Sequence, residues 1–490
     1  MARTPRRSAP GDAFSTSSTA PAGWRERIDR ALFAPVDGAS LAIFRIATGL
    51  LLAAHVGTYL SLAKIEAYYT GPSVLFKYAG FAWVEPLGDR AMQALFALLV
   101  AAALAMAAGV AYRWATTGFF VGYLYVFLLD TARYNNHYYL ILLLVALLAF
   151  VPADRVASLG RRRPVTGDGK AKGRWPAWAV PGWALWLIRF QVAVPYVFGG
   201  LAKLNPDWVL RAEPMSMWLR LGLTEGTLDL PFFREAWAGY AFAWSGLLLD
   251  LLVVPGLLWR RTRPWAFAAI AAFHLINSQL FTIGIFPWMM LALTTIFFEP
   301  DWPRRVRLLN RLPSDALRRL DGARRTVRPA LTIAIAAWMA IQVILPFRHF
   351  AIPGWVDWTE EGSRYAWRMK LRHKDGAVRF AVIDPATRQT TIFEDFSGVL
   401  TKFQVRMMLH DPEMIRQFAV HLKARLEENG MASVEVRALT PVALNGRPPR
   451  PMIDPEIDLA AQPQAVWHAD WIPPLDDRSL GAREVAASAR

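Results

Sequence analysis

The chain reads as apolar runs of helix-spanning length separated by short polar loops. The first run, residues 40–62, is SLAIFRIATGLLLAAHVGTYLSL, long enough as a helix to cross a hydrocarbon layer of roughly 30 Å. Further runs occupy about 91–112, 114–131, 138–152, 179–202, 237–259, 264–283, 284–300 and 329–348. The pattern predicts about nine transmembrane helices. The third, fourth and eighth runs are short for a full crossing and fit re-entrant or protein-sheltered segments as well.

After Leu345 the period shortens. VRFAVID, TTIFEDF and SVEVRALTP predict strands, with DPATR and NGR as turns. HDPEMIRQFAVHLKARLEENG predicts one amphipathic helix, begun at His410 or Asp411 and closed at Gly430. The expected fold class is an α-helical polytopic membrane protein with a C-terminal extracytoplasmic α+β domain. Its expected divisions are a disordered cytoplasmic tail (1–34), a transmembrane helical domain (35–348), a strand-rich domain (349–475) and a disordered tail (476–490). No internal repeat is visible.

Charge fixes the orientation. The net charge is +16, yet only 19% of residues are charged against 54% hydrophobic, less charge than soluble domains carry. With the basic tail (Arg3, Arg6, Arg7, Arg25, Arg27) inside, nine spans place Arg113, the 155–174 loop, Arg260, Arg261 and Arg263, and the 304–328 loop on the same side. That is the positive-inside distribution, and it puts the C-terminal domain outside, in a periplasm if the host is a bacterium. The first 20 residues have no apolar core and do not read as a signal peptide. No basic face is interleaved with aromatics, so nucleic acid is not an expected partner. The chain has no cysteine, which excludes disulfide, thiolate-metal and cysteine-nucleophile chemistry.

Three polar clusters interrupt the apolar runs at the outer side: Arg133-Tyr-Asn135-Asn136-His137, Gly199-Gly200-Leu-Ala-Lys203-Leu-Asn205-Pro-Asp207-Trp208, and Phe273-His274-Leu-Ile-Asn277-Ser278-Gln279-Leu-Phe281-Thr-Ile-Gly284. Distant segments supplying polar groups at one depth point to a shared site. Lys203 at a helix end reads either as a lysine snorkelling to headgroups or as an amine that desolvation leaves neutral, a base. His137 reads as a core or interfacial histidine or as a site residue. His274 and Asn277 share a helix face and serve equally as polar contacts between helices. Asp250, within LLLDLL, is an intramembrane charge with Arg45 as a candidate partner and a structural role. No His-Glu-x-x-His pattern is present and no metal is expected.

Asn135-Asn136-His137, Lys203-Leu-Asn-Pro-Asp-Trp208 and FHLINSQLFTIGIFPWMML (273–291) resemble the membrane core of the vitamin K-dependent gamma-glutamyl carboxylase family. PVDGASLAIFRIATGLLL (35–52), GWVDWTEEGSRYAWRMKLR (354–372) and LNGRPPRPMIDPEIDL (444–459) resemble other parts of it. The resemblance covers roughly residues 35–475. It implies a carbon–carbon lyase in an HTTM-type membrane domain, with vitamin K hydroquinone or menaquinol as cofactor and O2 and CO2 as co-substrates. The lysine matched by Lys203 deprotonates the hydroquinone. Oxygenation then yields a base strong enough to remove a γ-proton from peptide glutamate, the carbanion takes up CO2, and the quinone leaves as its epoxide.

By the same resemblance, Asn136 and His137 steady developing negative charge. Asn135, His274 and Asn277 line the quinone site. Trp367, Met369, Arg372 and Arg447 lie near the glutamate, where an arginine fork suits a carboxylate. The partners implied are the lipid bilayer and a glutamate-containing protein or peptide. Departures bear on propeptide recognition: the animal members have a disulfide and a Lys-Lys pair, and here there is no cysteine and Ala202 precedes Lys203. Size and Arg/Ala-rich composition point to a bacterial member in an inner membrane. The competing readings are a quinol epoxidase without carboxylation, a non-enzymatic quinone-binding membrane protein, and a transporter.

Overall fold

The apolar runs fold as helices in the computed structural model, which describes residues 31–160, 175–310 and 329–475 apart from 432 and 466. In chain order these helices are α1 (Ala39–Gly57), α2 (Asp89–Ala108), α3 (Tyr112–Leu128), α4 (Asn136–Phe150), α5 (Gly182–Ala202), the short α6 (Pro206–Arg211) and α7 (Met215–Arg220), α8 (Ala236–Leu258), α9 (Arg263–Leu280), α10 (Phe286–Thr294) and α11 (Pro329–Ile344). Each of the nine expected runs coincides with one of them. Among the described residues, five helical stretches are long and apolar enough to cross a membrane: Ala39–Gly57, Asp89–Ala108, Gly182–Ala202, Ala236–Leu258 and Pro329–Ala351. The apolar helices beginning at Asn136 and Phe286 are shorter, as their run lengths foretold.

The bundle turns large apolar side chains outward. Leu98, Trp114, Val121, Leu252, Ile333 and Ile344 are each more than half exposed, and a soluble surface rarely carries so much contiguous apolar area. A lipid bilayer is the solvent that suits them. The interior, by contrast, is closed by Leu41, Phe44, Phe96, Phe119, Leu144, Ile188 and Met290, all nearly inaccessible. At one end, strand β1 (Pro35–Asp37) pairs antiparallel with β2 (Ala179–Pro181), Val36 opposite Val180. Arg304 grips Asp37 there through two buried bonds of 2.7 and 3.2 Å. Chain upstream of position 35 also packs here: Phe33 is buried and the Ala34 carbonyl accepts the Gly182 amide. The rest of the expected 1–34 tail, residues 1–30, and the 476–490 tail lie outside the described residues, as do positions 161–174 and 311–328 of the basic loops.

The C-terminal part carries α12 (Val356–Thr359), α13 (Lys402–Met408), α14 (Pro412–Glu428) and strands β3 (Lys374–Gly376), β4 (Arg379–Ile383), β5 (Thr390–Phe393), β6 (Glu435–Leu439), β7 (Pro441–Leu444) and β8 (Arg450–Pro451). Two antiparallel sheets form, in the orders β5-β4-β6 and β3-β7-β8. Alternation puts Phe380, Val382, Val436 and Ala438 inward, against Ile415, Phe418 and Leu422 of α14. Asp411 caps α14 by accepting the amides of Glu413 and Met414, which satisfies two of the orphan donors at a helix start. Gly430, left-handed at φ +93, follows its last turn.

This part is docked on the bundle through buried polar groups. Gln404 donates to the Val74 carbonyl and to Asp130, and Gln417 exchanges two bonds with the Lys77 backbone. Asp207, just after α5, accepts from Arg447 at 2.7 and 2.8 Å and from Asn445 at 2.7 Å. Burial alone would raise the Asp207 carboxyl. The Arg447 and Asn445 bonds outweigh it and hold its pKa below the ordinary 3.8.

Two consequences of the Asp207–Arg447 pair are measurable. Asp207→Ala leaves the Arg447 charge buried and should lower stability by about 3–5 kcal/mol, read by thermal unfolding in detergent. The depressed carboxyl stabilises docking in full above pH 3.8, and that contribution is lost as pH falls through the lower folded-state value. Hydrogen-exchange protection around 440–447, taken relative to the intrinsic rate at each pH, should therefore fall on acidification in the wild type. Equal acid sensitivity in Asp207→Ala would remove this pair as the cause.

Candidate active site at the junction of bundle and C-terminal domain

A cavity of about 1380 Å³ lies where the bundle meets the C-terminal part. Small-molecule sites usually hold roughly 300–1,000 Å³, so this one has room for more than one small molecule. Its walls bring together Asn135, Asn136 and His137 at the start of α4, Lys203 at the end of α5, and His274 and Asn277 on α9. Met369 and Arg372 come from the C-terminal part. The three polar clusters thus converge. Trp367 and Arg447 are not on the walls: Trp367 is buried behind them, its ring 5.2 Å from Tyr139, and Arg447 is committed to Asp207.

Lys203 sits just past the last residue of α5 and is 7% exposed. Its Nζ donates to Asp250 Oδ2 at 2.6 Å and to the Gly199 carbonyl at 3.2 Å, and lies 5.4 Å from the Trp208 ring centroid. Asp250, on α8, is equally buried. The expectation that Arg45 partners Asp250 is therefore corrected. Arg45 donates to the Ala157 carbonyl instead, and the lysine satisfies the aspartate. Gly199-Gly200 explains how α8 comes so close. A Cβ on Gly200 would lie 2.8 Å from Leu251 Cδ2, and one on Gly199 would lie 3.4 Å from Asp250 Oδ2.

The histidines flank one aromatic ring. Phe286 is 5.7 Å from the His137 ring and 5.8 Å from the His274 ring. His274 Nε2 meets the Tyr196 hydroxyl at 3.0 Å, and that hydroxyl meets Thr294 Oγ1 at 3.2 Å. The buried Nδ1 of His274 has no hydrogen-bond partner among the described residues. Tyr196 was not singled out from sequence, although it lies two helical turns before Lys203 on the same face of α5, which is the signal that could have found it. Asn136 Oδ1 accepts from the Tyr134 hydroxyl at 3.1 Å, and that hydroxyl accepts the Tyr365 amide at 2.6 Å. The α4 corner is thereby tied to the C-terminal part.

On the C-terminal wall, Arg372 is bonded to Glu360, which Lys374 also holds at 2.8 Å. Burial would raise the Glu360 carboxyl, but the two cations outweigh it and its pKa lies below the ordinary 4.5. The segment is wound tightly: Glu360, Tyr365, Trp367 and Lys370 all have left-handed φ between +56 and +63. Non-glycine residues adopt that conformation at a cost of order 1–3 kcal/mol each, and such strain collects at functional sites. Among the described residues no group of three or more His, Asp or Glu is placed to hold a metal ion.

The Lys203–Asp250 pair makes an energetic prediction. Asp250→Leu leaves the lysine buried without its counter-charge and should lower stability by about 3–5 kcal/mol. Adding Lys203→Met should recover most of the loss. Unfolding midpoints of the single and double variants in one detergent check this. A double variant no more stable than Asp250→Leu would show that the two are not coupled.

Comparison with known proteins agrees with the geometry. Residues 33–302 match the HTTM domain and residues 327–478 match the lumenal domain of vitamin K-dependent gamma-carboxylase. No solved structure matches the chain. The two matched regions take in both walls of the cavity, and with the first alone spanning more than half of the sequence, the chain belongs to the vitamin K-dependent gamma-carboxylase family.

Proposed function

We propose that this chain is a membrane enzyme that couples oxygenation of a reduced naphthoquinone to carboxylation of peptide glutamate, a gamma-glutamyl carboxylase and quinol epoxidase. The observation that carries the reading is the buried Lys203–Asp250 pair on the wall of a cavity shared by apolar helices and a polar domain. The residues present fit a hydroquinone. Phe273, Phe281 and Phe286 offer aromatic walls, and the unpartnered Nδ1 of His274 offers a polar contact for a ring oxygen. Asn277 and Asn135 line the same space.

When bound with oxygen, the reduced quinone supplies a base stronger than any side chain, able to take the γ-proton of glutamate before CO2 adds. The protein's part is to position, to exclude water and to handle the first proton. Lys203 Nζ takes the hydroxyl proton of the quinol, and Asp250 Oδ2, 2.6 Å away, takes up the proton that the amine already carries. The two thus act as one base. Asn136 and His137, at the positive end of α4, donate to developing negative charge. Lys203, His137, His274 and Asp250 are each less than one-tenth exposed, and a dry site strengthens every such interaction.

In this reading residues 35–348 form the membrane domain of nine spans and 349–475 the outer domain. The placement is a bacterial inner membrane with the N-terminus cytoplasmic. The natural quinol is vitamin K hydroquinone or menaquinol, and the second substrate is a glutamate-containing protein. The engagement of Arg372 by Glu360 and of Arg447 by Asp207 favours, as a second reading, quinol epoxidation without carboxylation, because neither fork is open to a substrate carboxylate.

The test is a purified-protein assay with vitamin K hydroquinone, oxygen, a short glutamate peptide and labelled bicarbonate. Epoxide and fixed label should both form, and Lys203→Ala should lower both by about 10²–10⁴-fold while remaining folded. Epoxide without label selects the second reading; full epoxide formation by Lys203→Ala removes the lysine as base. Trypsin added to spheroplasts should cut within 349–475, and cleavage confined to inverted vesicles would reverse the topology.

A further inference from the structure

The cations on the cavity wall are nearly all spoken for. Lys203 is paired with Asp250 at 2.6 Å, Arg364 with Asp411 at 2.5 Å, Arg368 with Asp357 at 2.6 Å, Arg406 with Glu225 at 3.2 Å, and Arg372 and Lys374 share Glu360. Lys370 differs. Among the described residues no carboxylate stands within ion-pair distance of its ammonium. That ammonium rests on aromatic rings instead, 4.3 Å from the Phe281 centroid and 5.3 Å from the Trp218 centroid. Glu225 acts on it from farther off, but that carboxylate is already bonded by Arg406 and by the Thr282 hydroxyl. Among the described residues Arg133 is the other wall cation with no carboxylate at ion-pair distance, although Asp130 acts on it from farther off. Its guanidinium lies 3.9 Å over the Tyr68 ring and its Nε donates to the Tyr68 carbonyl.

The backbone presents Lys370 to the cavity under strain. Its φ of +56 is one of several left-handed values in this segment, a conformation that persists only where its surroundings enforce it. The neighbouring Met369 places this stretch of backbone. A Cβ on Gly199 would lie 3.3 Å from Met369 Cε and 3.9 Å from Lys203 Nζ, so this stretch of chain passes beside the amine assigned above to the first proton transfer. Lys370 remains accessible from the cavity. A cation cradled on rings without a counter-charge is poised for an incoming anion, to which it gives a charge-assisted hydrogen bond.

We infer that Lys370 is the carboxylate anchor of this cavity, binding the side-chain carboxylate of the peptide glutamate beside Lys203. The inference rests on the carboxylase reading for its ligand and assigns to Lys370 the role that Arg372 and Arg447, both held by internal acids, do not fill. Bicarbonate offers a similar anion, and the comparison below separates the two.

The experiment is equilibrium binding of a fluorescent glutamate peptide, and of its glutamine counterpart, to the full-length protein in detergent. The proteins compared are wild type, Lys370→Met, Lys370→Arg and Arg133→Gln, with thermal unfolding to confirm that each is folded. Methionine keeps the stem over the rings and removes the charge. The expected result is about tenfold or greater preference for glutamate over glutamine in the wild type, lost in Lys370→Met and retained in Lys370→Arg and Arg133→Gln. An unchanged preference in Lys370→Met overturns the inference, and it is the result expected if bicarbonate rather than peptide occupies Lys370. A wild type without the preference, or its loss in Arg133→Gln alone, overturns it as well. Failure of the carboxylase reading is seen separately. Wild-type protein that prefers the glutamate peptide through Lys370 but fixes no label leaves the anchor standing and removes the reaction.

Discussion

A lysine and an aspartate face each other at 2.6 Å inside an apolar helical bundle, and much of the local architecture serves that contact. Neither charge could be buried alone, because removing one ion from water costs several kcal/mol after relaxation. Together they need two helices in direct contact. The glycine at 200 permits it, since a Cβ there would strike Leu251, and one at 199 would crowd Met369 Cε at 3.3 Å. The Trp208 ring closes over the amine from the segment that follows α5. The same segment supplies Asp207, whose carboxylate holds Arg447 of the C-terminal part. One short stretch, 199–208, therefore sets the charge pair, covers it and docks the polar domain that completes the cavity.

That docking decides what the cavity can be. A helical bundle alone would leave Lys203 at an open membrane boundary, where an amine reaches water and behaves as an ordinary surface lysine. The segment after α12 crosses over it instead, with Met369 beside Gly199 and the Tyr365 amide bonded to Tyr134. One wall is then apolar and aromatic, the other rich in paired charges. A lipid-soluble ring and a polar peptide have opposite solvent requirements, and a site that serves both must lie on such a seam.

The sequence made the helices legible because hydrophobic periodicity and run length are local properties. The start of α14 at Asp411 and the three strands of the β5-β4-β6 sheet were legible for the same reason, and the convergence of the Asn136-His137, Lys203 and His274 clusters followed from the common depth that the threaded spans gave them. Pairings between distant segments were not. Asp250 was recognisable as an intramembrane charge, yet its choice of Lys203 over Arg45 depends on which helices touch, and α5 and α8 meet through glycines whose purpose only the packed structure reveals. Arg372 and Arg447 suit a carboxylate by residue type alone, but Glu360 and Asp207 are nearer claimants. Lys370 carried no sequence signal, because its distinction lies in what fails to approach it.

Paired and unpaired charges have different uses in such a site. A paired ion is fixed in place and its field is largely cancelled at a distance, which suits Arg364, Arg368 and Arg372 as fasteners of a strained segment. The Lys203–Asp250 pair is neutral overall, so a ring lying against that part of the wall meets no net charge. An unpaired ammonium among aromatic rings keeps its field. On the proposed assignment, a peptide carboxylate is drawn to Lys370 on the polar wall, while a neutral ring gains nothing there and settles against the neutral Lys203–Asp250 pair. Two substrates of unlike charge can sort themselves within one space without a partition between them.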